Sequence, residues 1–354
     1  MFVSHLKKIN RSSYYDFKGR ADYHRLDRNE RNYPFSNKII KNLKKKITNF
    51  SLQAYPSDTK ILRVRIAKYE KVNEKYIELA PGSDGALKYI FEIFTFNNSR
   101  LTTIYPTYGM VEVYSKIYKY YLNKVRIHNY NSINSKLFFK KKVDWIYIAN
   151  PNQPDGKIIN YKEILEIIKI AKKRKITIVI DEAYIEFSKQ NSLCKLVKSY
   201  ENLVILKTFS KFWGLAGLRI GYIVANPKFI KIYNALRPIF DISSLSISIS
   251  EHLLKNEKIK NDFVNEIAKS KKYMENECKK RNLDFINSEA NFFYIKFPKN
   301  LVHKIYKKLV QNKILVRPTF KSRIKNLNNT IRITLCEKKI MLKFFTILSK
   351  LKLS

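Results

Sequence analysis

The chain has 354 residues, of which 45% are hydrophobic, enough to bury the core of one large and one small domain. No apolar run approaches the roughly 20 residues that a membrane helix needs. Three scattered cysteines and five histidines without ligand spacing argue against a disulfide framework and a metal site. The composition therefore predicts a globular protein without a membrane anchor or a metal.

The chain carries 70 Lys and Arg against 29 Asp and Glu, a formal net charge of +41. Such a charge suits nucleic-acid binding or the capture of anionic substrates. The basic residues are dispersed among abundant Ile, Asn and Tyr, which is typical of A/T-rich codons. We therefore expect no nucleic-acid partner, although the field would attract phosphorylated substrates. The first residues lack the apolar core of a secretory signal, so a cytoplasmic protein is predicted.

Two polar segments precede the first clear strand. Residues 24–36 include Asn29 and Glu30, and Tyr55 and Pro56 form a turn ahead of a helix predicted over residues 62–69. Taken alone, they indicate surface polar groups and a common turn.

Residues 77–94 predict a strand, a glycine-rich turn and a helix with apolar residues at helical spacing. The backbone N–H groups of Ser83, Asp84 and Gly85 at the helix start suit a phosphate. An ordinary helix cap, with Ser83 or Asp84 as the capping side chain, is the alternative. A proline turn ending in Tyr108 follows, and it offers a flat aromatic ring.

Three apolar strands are each followed by polar side chains. The strands are predicted over residues 143–149, 176–180 and 203–206, and the groups that follow them are Asn152 and Gln153, then Asp181 and Tyr184, then Thr208, Ser210 and Lys211. Roughly 30 positions separate successive groups, which fits one strand–helix–strand crossover each. A helix predicted over residues 164–173 occupies the first crossover. We therefore expect these groups to meet at one edge of a parallel sheet.

The stretch 207–222 combines hydroxyls, glycines and an arginine at a strand end. Thr208 and Ser210 precede Lys211 by three and one positions, and Arg219 follows it by eight. Such a set suits a phosphate dianion, with Gly214 and Gly217 expected to let backbone approach closely. A lysine in it is placed to form a Schiff base with a carbonyl cofactor. The alternative is a strand–turn–strand with a solvated lysine.

The C-terminal part predicts a long basic helix over residues 256–281 and strands over 292–297 and 314–317. Arg317 ends one predicted strand, and Arg332 lies within the apolar Thr-Ile-Arg-Ile-Thr segment. A basic surface residue is the ordinary interpretation of either arginine, but an arginine inside an apolar strand suits a buried anion better.

Three motifs occur in order: Asn-Pro-Asn-Gln-Pro-Asp-Gly (150–156), Asp-Glu-Ala-Tyr-Ile-Glu-Phe (181–187) and Ser-Lys-x-x-Gly-Leu-Ala-Gly-x-Arg (210–219). With them the chain resembles the fold-type I pyridoxal-phosphate aminotransferases of classes I and II over most of its length, most closely the histidinol-phosphate aminotransferase branch. The resemblance implies an α/β fold with a mostly parallel, seven-stranded sheet in a large domain (46–245). It implies a small α+β domain formed by residues 1–45, which include an N-terminal arm, and 246–354.

The resemblance also implies roles for the cofactor-binding residues. Lys211 would hold pyridoxal 5'-phosphate as a Schiff base and move a proton at the substrate Cα. Asp181 would pair with the pyridinium nitrogen, Tyr184 with the phenolic oxygen, and the ring of Tyr108 would stack on the pyridine. The phosphate contacts would come from Ser83, Asp84, Gly85, Thr208, Ser210 and Arg219, with Tyr55 supplied by the partner subunit of a homodimer.

Substrate contacts are implied for Asn29 and Glu30, which border the pocket, for Arg332 on a carboxylate and for Arg317 on a phosphate. The chain departs from the motif at Gln153, where the family has Asn; its amide has a longer arm, so the contact is retained by a shifted backbone or passes to Asn152. Gly85 stands where an acidic residue is usual. The sequence after Pro238 differs from the histidinol-phosphate branch, which bears on the identity of the substrate.

These features predict a transaminase that exchanges an amino group between a phosphorylated or aromatic amine, in particular histidinol phosphate, and 2-oxoglutarate or glutamate. Two alternatives share the cofactor contacts: an aminotransferase of another biosynthetic pathway, and a threonine-phosphate decarboxylase. A third belongs to another class: a basic nucleic-acid-binding protein with a non-catalytic form of the fold.

Overall fold

The computed structural model describes residues 4–9, 19–56 and 59–351. The strands in this part of the chain are β1 His24–Arg25, β2 Ile77–Ala80, β3 Arg100–Ile104, β4 Tyr121–Val125, β5 Trp145–Ala149, β6 Thr177–Asp181, β7 Leu203–Thr208, β8 Gly221–Ala225, β9 Phe285–Ile286, β10 Phe292–Lys296, β11 Ile314–Leu315, β12 Arg317–Thr319 and β13 Thr330–Thr334. The α-helices are α1 Asn37–Lys44, α2 Asn49–Gln53, α3 Lys60–Glu70, α4 Gly82–Ile93, α5 Gly109–Ile117, α6 Tyr161–Lys173, α7 Pro227–Leu236, α8 Ser244–Leu254, α9 Lys258–Lys280, α10 Lys299–Gln311 and α11 Lys338–Ser349.

The main sheet has seven strands in the order β2-β8-β7-β6-β5-β3-β4. β8 runs antiparallel to β2 and β7, and every other pair is parallel. β5 and β7 are buried along their whole length, as expected for continuous apolar strands in a parallel sheet that is covered on both faces. The predicted mostly parallel, seven-stranded sheet is confirmed.

The register of three neighbouring strands brings their carboxyl ends to one edge. Ala149 of β5 lies opposite Asp181 of β6, and Asp181 lies opposite Leu206 of β7. The crossover from β5 to β6 contains α6, as predicted. In the crossover from β6 to β7, by contrast, the only helical segments are two short 3-10 turns, Ile185–Phe187 and Cys194–Lys198.

A second, antiparallel sheet has the order β12-β13-β10-β9, and β1 pairs with β11 in a separate parallel pair. The single strand predicted over residues 314–317 is therefore wrong. Residues 314–315 pair with β1 of the N-terminal arm, whereas residues 317–319 pair with β13. Two short strands therefore form in place of one. Leu26 from the arm packs in the same apolar cluster as Phe293 and Phe344. The domain division at residues 45 and 245 stays a prediction.

The helices cover both sheets. The long basic helix predicted over residues 256–281 is α9, which buries an apolar stripe that includes Phe263 and Met274. None of the helices in the described ranges is long and apolar enough to cross a membrane. The three cysteines are buried and unpaired.

We predict that Gly156→Ala destabilises the protein, because Gly156 has φ +66° and a Cβ there would lie 2.0 Å from the Ser288 Oγ. Backbone strain and overlap together should lower the free energy of unfolding by about 2 to 4 kcal/mol, measured by denaturant titration. Gly109→Ala is the matched control, since no atom lies within 4 Å of the added Cβ. Equal losses in the two variants would contradict this interpretation.

Candidate active site

A cavity of about 510 Å³ opens at the edge where β5, β6 and β7 end. It is lined by most of the residues singled out in the sequence, namely Asn29, Glu30, Ser83, Asp84, Tyr108, Gln153, Asp181, Tyr184, Thr208, Ser210, Lys211, Arg219, Arg317 and Arg332. Residues from the N-terminal arm, the main sheet and the second sheet therefore share one cavity. Asp27, Arg28 and Tyr147 also line it and were not expected.

Three predicted residues lie outside this lining. Gly85 is in the first turn of α4, where a Cβ would lie 2.5 Å from the Pro81 ring. Asn152 is fully buried, and its Nδ2 contacts the Pro106 carbonyl, the Tyr130 hydroxyl and the Asp155 Oδ1 at 2.9 to 3.2 Å. The Asn152 amide is therefore committed to the loop itself, and the alternative in which it replaces Gln153 as a ligand contact is not supported.

Tyr55 is the third. Its side chain is 74% exposed, and its ring stacks on Phe240 with the ring centroids 4.5 Å apart. Ser57 and Asp58, which follow it in the predicted turn, lie outside the described residues.

Asp181 is the buried acid of the cavity. Its Oδ2 accepts a hydrogen bond from the Tyr147 hydroxyl (3.0 Å), and its Oδ1 accepts one from the Ala183 N–H (3.0 Å). Burial raises the pKa of Asp181 to about 6, and the two hydrogen bonds act in the opposite direction. Tyr147 was missed in the sequence, although a hydroxyl in an otherwise apolar strand was a usable signal. The pair gives Asp181 a fixed orientation.

Lys211 lies next to Asn29 and Tyr184. Its Nζ donates to the backbone carbonyls of Asn29 (3.3 Å) and Arg28 (3.4 Å) and lies 5.5 Å from the centre of the Tyr184 ring. These partners are neutral, so the amine is not held in an ion pair with a carboxylate. An amine in this setting can react with a carbonyl group.

Asn29 connects the arm to the cavity. It has φ 56°, a left-handed conformation that Asn tolerates better than most residues. Its Nδ2 donates to the Tyr184 hydroxyl (3.0 Å), and its backbone N–H donates to the Thr334 Oγ1 (2.9 Å). Asn29 therefore fixes Tyr184 from one side and anchors the arm to β13 on the other.

The start of α4 and Arg219 form an anion-binding corner. Pro81 precedes α4 and no side chain of the described residues caps the helix, so the alternative of a cap from Ser83 or Asp84 is not found. A Cβ on Gly82, whose φ is +74°, would lie 3.2 Å from the Arg219 Nη2. The Arg219 Nη1 donates to the Ser210 Oγ at 3.3 Å. Unpaired helix N–H groups, a guanidinium and a hydroxyl together suit a phosphate.

Only one of the two glycines after Lys211 is closely approached. A Cβ on Gly214 would lie 2.2 Å from the Arg31 Cδ, whereas no atom lies within 4 Å of a Cβ on Gly217. The neighbour of Gly214 is thus the N-terminal arm, and the close approach expected at Gly217 stays a prediction.

Arg317 and Arg332 lie directly opposite each other in the antiparallel pairing of β12 and β13. Opposite residues share one face of a sheet, so two like charges meet there. Arg332 is 9% exposed; its Nη2 donates to the Asp27 carbonyl (2.8 Å), and its Nε makes no hydrogen bond to the described residues. The Glu30 carboxylate, meanwhile, pairs with Arg20 at 3.1 Å. Two guanidinium groups on one face of a sheet suit an anion such as a carboxylate or a phosphate.

We predict that Asp181→Asn stabilises the ligand-free protein at neutral pH. A carboxyl whose pKa is raised from 3.8 to about 6 by burial costs stability as the pH rises through that range. The free energy of unfolding of the variant should therefore exceed that of the unaltered protein by about 3 kcal/mol at pH 7, and by almost nothing near pH 4. Tyr147→Phe should shift this transition to higher pH. A difference that does not vary with pH would sink the prediction.

Residues 22–344 match the family model for class I and II aminotransferases. The histidinol-phosphate aminotransferase of Caldanaerobacter subterraneus subsp. tengcongensis is 31% identical over 88% of each chain.

Two solved structures share the fold at lower identity. The histidinol-phosphate aminotransferase of Sinorhizobium meliloti in complex with pyridoxal-5'-phosphate has a TM-score of 0.81 (18% identity, 96% and 100% coverage). The L-threonine-O-3-phosphate decarboxylase of Porphyromonas gingivalis has a TM-score of 0.76 (22% identity, 92% and 98% coverage). The chain belongs to the class I and II aminotransferase family and has the predicted fold-type I architecture.

Proposed function

We propose that this pyridoxal-phosphate-dependent aminotransferase transfers the amino group of histidinol phosphate to 2-oxoglutarate. The observation that carries the proposal is the meeting of Lys211, Asp181 and Arg219 with the opposed pair Arg317 and Arg332 in one cavity. The first three suit the cofactor, and the arginine pair suits an anionic substrate.

The cavity residues fit pyridoxal phosphate. Arg219, Ser210 and the uncapped start of α4 would hold the phosphate. The buried carboxylate of Asp181, oriented by Tyr147, would pair with the ring nitrogen. Tyr184 and Gln153 would contact the phenolic oxygen, and the ring of Tyr108 would cover the pyridine. The Gln153 amide makes no hydrogen bond to the described residues and is therefore available for this contact.

When bound, the cofactor supplies an electron-withdrawing ring that stabilises negative charge at the substrate Cα. Asp181 keeps the ring nitrogen protonated, because an ionised carboxylate beside a cation is favoured over either charge buried alone. Lys211 would hold the cofactor through its Nζ, and the same amine would move the proton at the substrate Cα. Asn29 holds the Tyr184 hydroxyl beside this amine through the contact described above.

The arginine pair supports a phosphorylated amine as one substrate. Histidinol phosphate carries a dianionic phosphate, which can accept hydrogen bonds from both guanidinium groups. The dicarboxylate partner, glutamate or 2-oxoglutarate, would place one carboxylate on Arg332. A shared arginine lets one pocket take both substrates in turn. The same pair would also hold phosphothreonine, so the assay must distinguish these reactions.

We predict turnover of histidinol phosphate with 2-oxoglutarate, and little or none with aromatic amino acids. Incubation with phosphothreonine should release no carbon dioxide. Arg317→Gln should raise the KM for histidinol phosphate about 10- to 100-fold, because a charged hydrogen bond is lost, and change the KM for 2-oxoglutarate much less. Arg332→Gln should raise both. Steady-state kinetics measure these values; failure to turn over histidinol phosphate would reject the substrate while leaving the aminotransferase assignment intact.

We also propose that the protein is a cytoplasmic homodimer in which Tyr55 completes the partner's phosphate site. Tyr55 is strongly exposed and stacks on Phe240, whose neighbour in the chain, Ile239, is 84% exposed; Phe50 on α2, five residues before Tyr55, is 65% exposed. Exposed apolar side chains grouped in this way are typical of a subunit interface.

A subunit-mixing experiment tests the shared site. Tyr55→Ala and Lys211→Ala are each expected to be nearly inactive alone. Mixing them under conditions that exchange subunits should restore about a quarter of the normal activity, because half of the dimers then contain one complete site. Activity that stays at the level of the separate variants would show that Tyr55 does not act across the interface.

A further inference from the structure

Lys207 is a buried lysine that the mechanism above does not use. It is 1% exposed and precedes Thr208 on β7, and because side chains alternate along a strand the two point to opposite faces. Thr208 lines the active-site cavity, whereas Lys207 lines a second cavity of about 1250 Å³ on the other side of the sheet.

Three glutamates surround the Lys207 ammonium. Its Nζ donates to Glu186 and lies 3.5 Å from Glu182 and 3.6 Å from Glu70. Glu70 also accepts a hydrogen bond from the Tyr222 hydroxyl (2.6 Å). We call these four charged residues the Lys207 cluster. Burial lowers the pKa of Lys207, but the carboxylates outweigh it and hold the pKa well above the ordinary value, so the lysine is charged.

Glu182 is held further by the crossover segment itself. Its two carboxylate oxygens accept hydrogen bonds from the Ser192 hydroxyl (2.5 Å) and the Leu193 N–H (2.8 Å). The cluster thus reaches from β7 through the segment after β6 to the end of α3.

The members of this cluster alternate in sequence with the cofactor-binding residues. Glu182 follows Asp181, Glu186 follows Tyr184 by two positions, and Lys207 precedes Thr208. The start of the segment that carries Glu182 and Glu186 is bonded to β7 through its backbone, because the Glu182 N–H donates to the Leu206 carbonyl (2.9 Å). Beyond Tyr184, the contact of Glu186 with Lys207 adds a charged tie to β7, the strand that leads to Lys211.

We propose that Lys207 is a positioning residue for the reaction proposed above, and that its ion cluster holds Asp181 and Tyr184 in place relative to Lys211 from behind the sheet. The inference rests on the proposed function. It assigns to Lys207 an effect on the reaction itself, in addition to the loss of stability that follows when one partner of a buried ion pair is removed.

The charges of the cluster do not cancel. One ammonium faces three carboxylates, and the Glu186 Oε2 is buried without a hydrogen-bond partner among the described residues. Burial raises the pKa of Glu186 to about 7 and raises that of Glu182 too, with Lys207 acting in the opposite direction. The other titratable groups around Glu186 include Tyr69, whose hydroxyl accepts from Lys260, and Tyr222, while Cys194 lies near Glu70 and Glu182. Lys260 lines the same cavity, but it donates to Tyr69 and pairs with Glu257. Removing Lys207 thus leaves the three carboxylates without the cation that they contact, and they must move apart or take up protons.

The test compares holoenzyme of Lys207→Met and Lys207→Arg. Lys207→Met should lower kcat on the order of 10- to 100-fold with the KM for the amino donor within about threefold, because the reacting groups are misplaced while the substrate contacts remain. The pH midpoint of the visible band of the lysine-bound cofactor should shift as well. Lys207→Arg keeps the charge and should restore most of kcat.

Arg281→Met is the matched control. It removes a cation from an ion pair with the buried Glu277 on α9, away from both cavities, and should lower thermal stability without changing kcat or the spectrum. If Lys207→Met behaves like this control, losing stability alone, the proposal is overturned.

Two further variants keep the proposal testable if Lys207→Met does not fold. Glu186→Gln retains the lysine and should still shift the pH midpoint, and Lys207→Met with Glu186→Gln removes one charge of each sign. Unchanged spectra and kcat in folded Glu186→Gln would then overturn the proposal. A lack of visible absorbance or of turnover in the unaltered protein would instead reject the proposed function.

Discussion

The parallel pairing of β5, β6 and β7 is the constraint on which the candidate active site depends. Asp181 lies opposite Ala149 on one side and Leu206 on the other. Because side chains alternate between the faces of a sheet, a slip of one residue in β7 would turn Thr208 away from the cavity and Lys207 into it. The apolar side chains of these strands must be buried on both faces, so the core selects the register. The chemistry at the sheet edge is therefore positioned by residues that take no part in it.

The candidate active site also requires that both ends of the chain return to the edge where β5, β6 and β7 end. Asn29 from the N-terminal arm and Arg332 from β13 reach the same cavity, and the Thr334 Oγ1 joins them by accepting the Asn29 N–H. The left-handed backbone of Asn29 lets its carbonyl face Lys211 while its amide faces Tyr184. Such a backbone is tolerated because hydrogen bonds on several sides hold it, which is how strained conformations persist at functional sites.

Site residues that belong to short motifs after strands could be predicted from the sequence. Contacts between residues on different strands could not. Asp181 and Lys211 follow apolar strands, and Arg219 lies eight residues after Lys211, so a parallel sheet that aligns these strand ends predicts their meeting in one cavity. The contact of Tyr147 with Asp181 depends on which strands are neighbours, and the burial of Asn152 depends on its contacts with Pro106 and Tyr130. The split of residues 314–317 depends on the arm. Local sequence carries none of this information, since each contact joins residues far apart in the chain.

The burial of several acids affects how the positive charge of the chain is distributed over its surface. Four acids are buried, namely Glu70, Glu78, Asp181 and Glu182. Their carboxylates contact groups inside the protein or face the cavity. The lysines, by contrast, lie mostly at exposed positions, so the outer surface is more positive than the composition alone implies. Such a field draws a doubly charged phosphate toward Arg317 and Arg332 without any need for a nucleic-acid partner. A nucleic-acid-binding protein that had lost catalysis would have no physical reason to keep a buried carboxylate, an amine outside any ion pair and an uncapped helix start around one cavity, because each of these costs stability when nothing is bound.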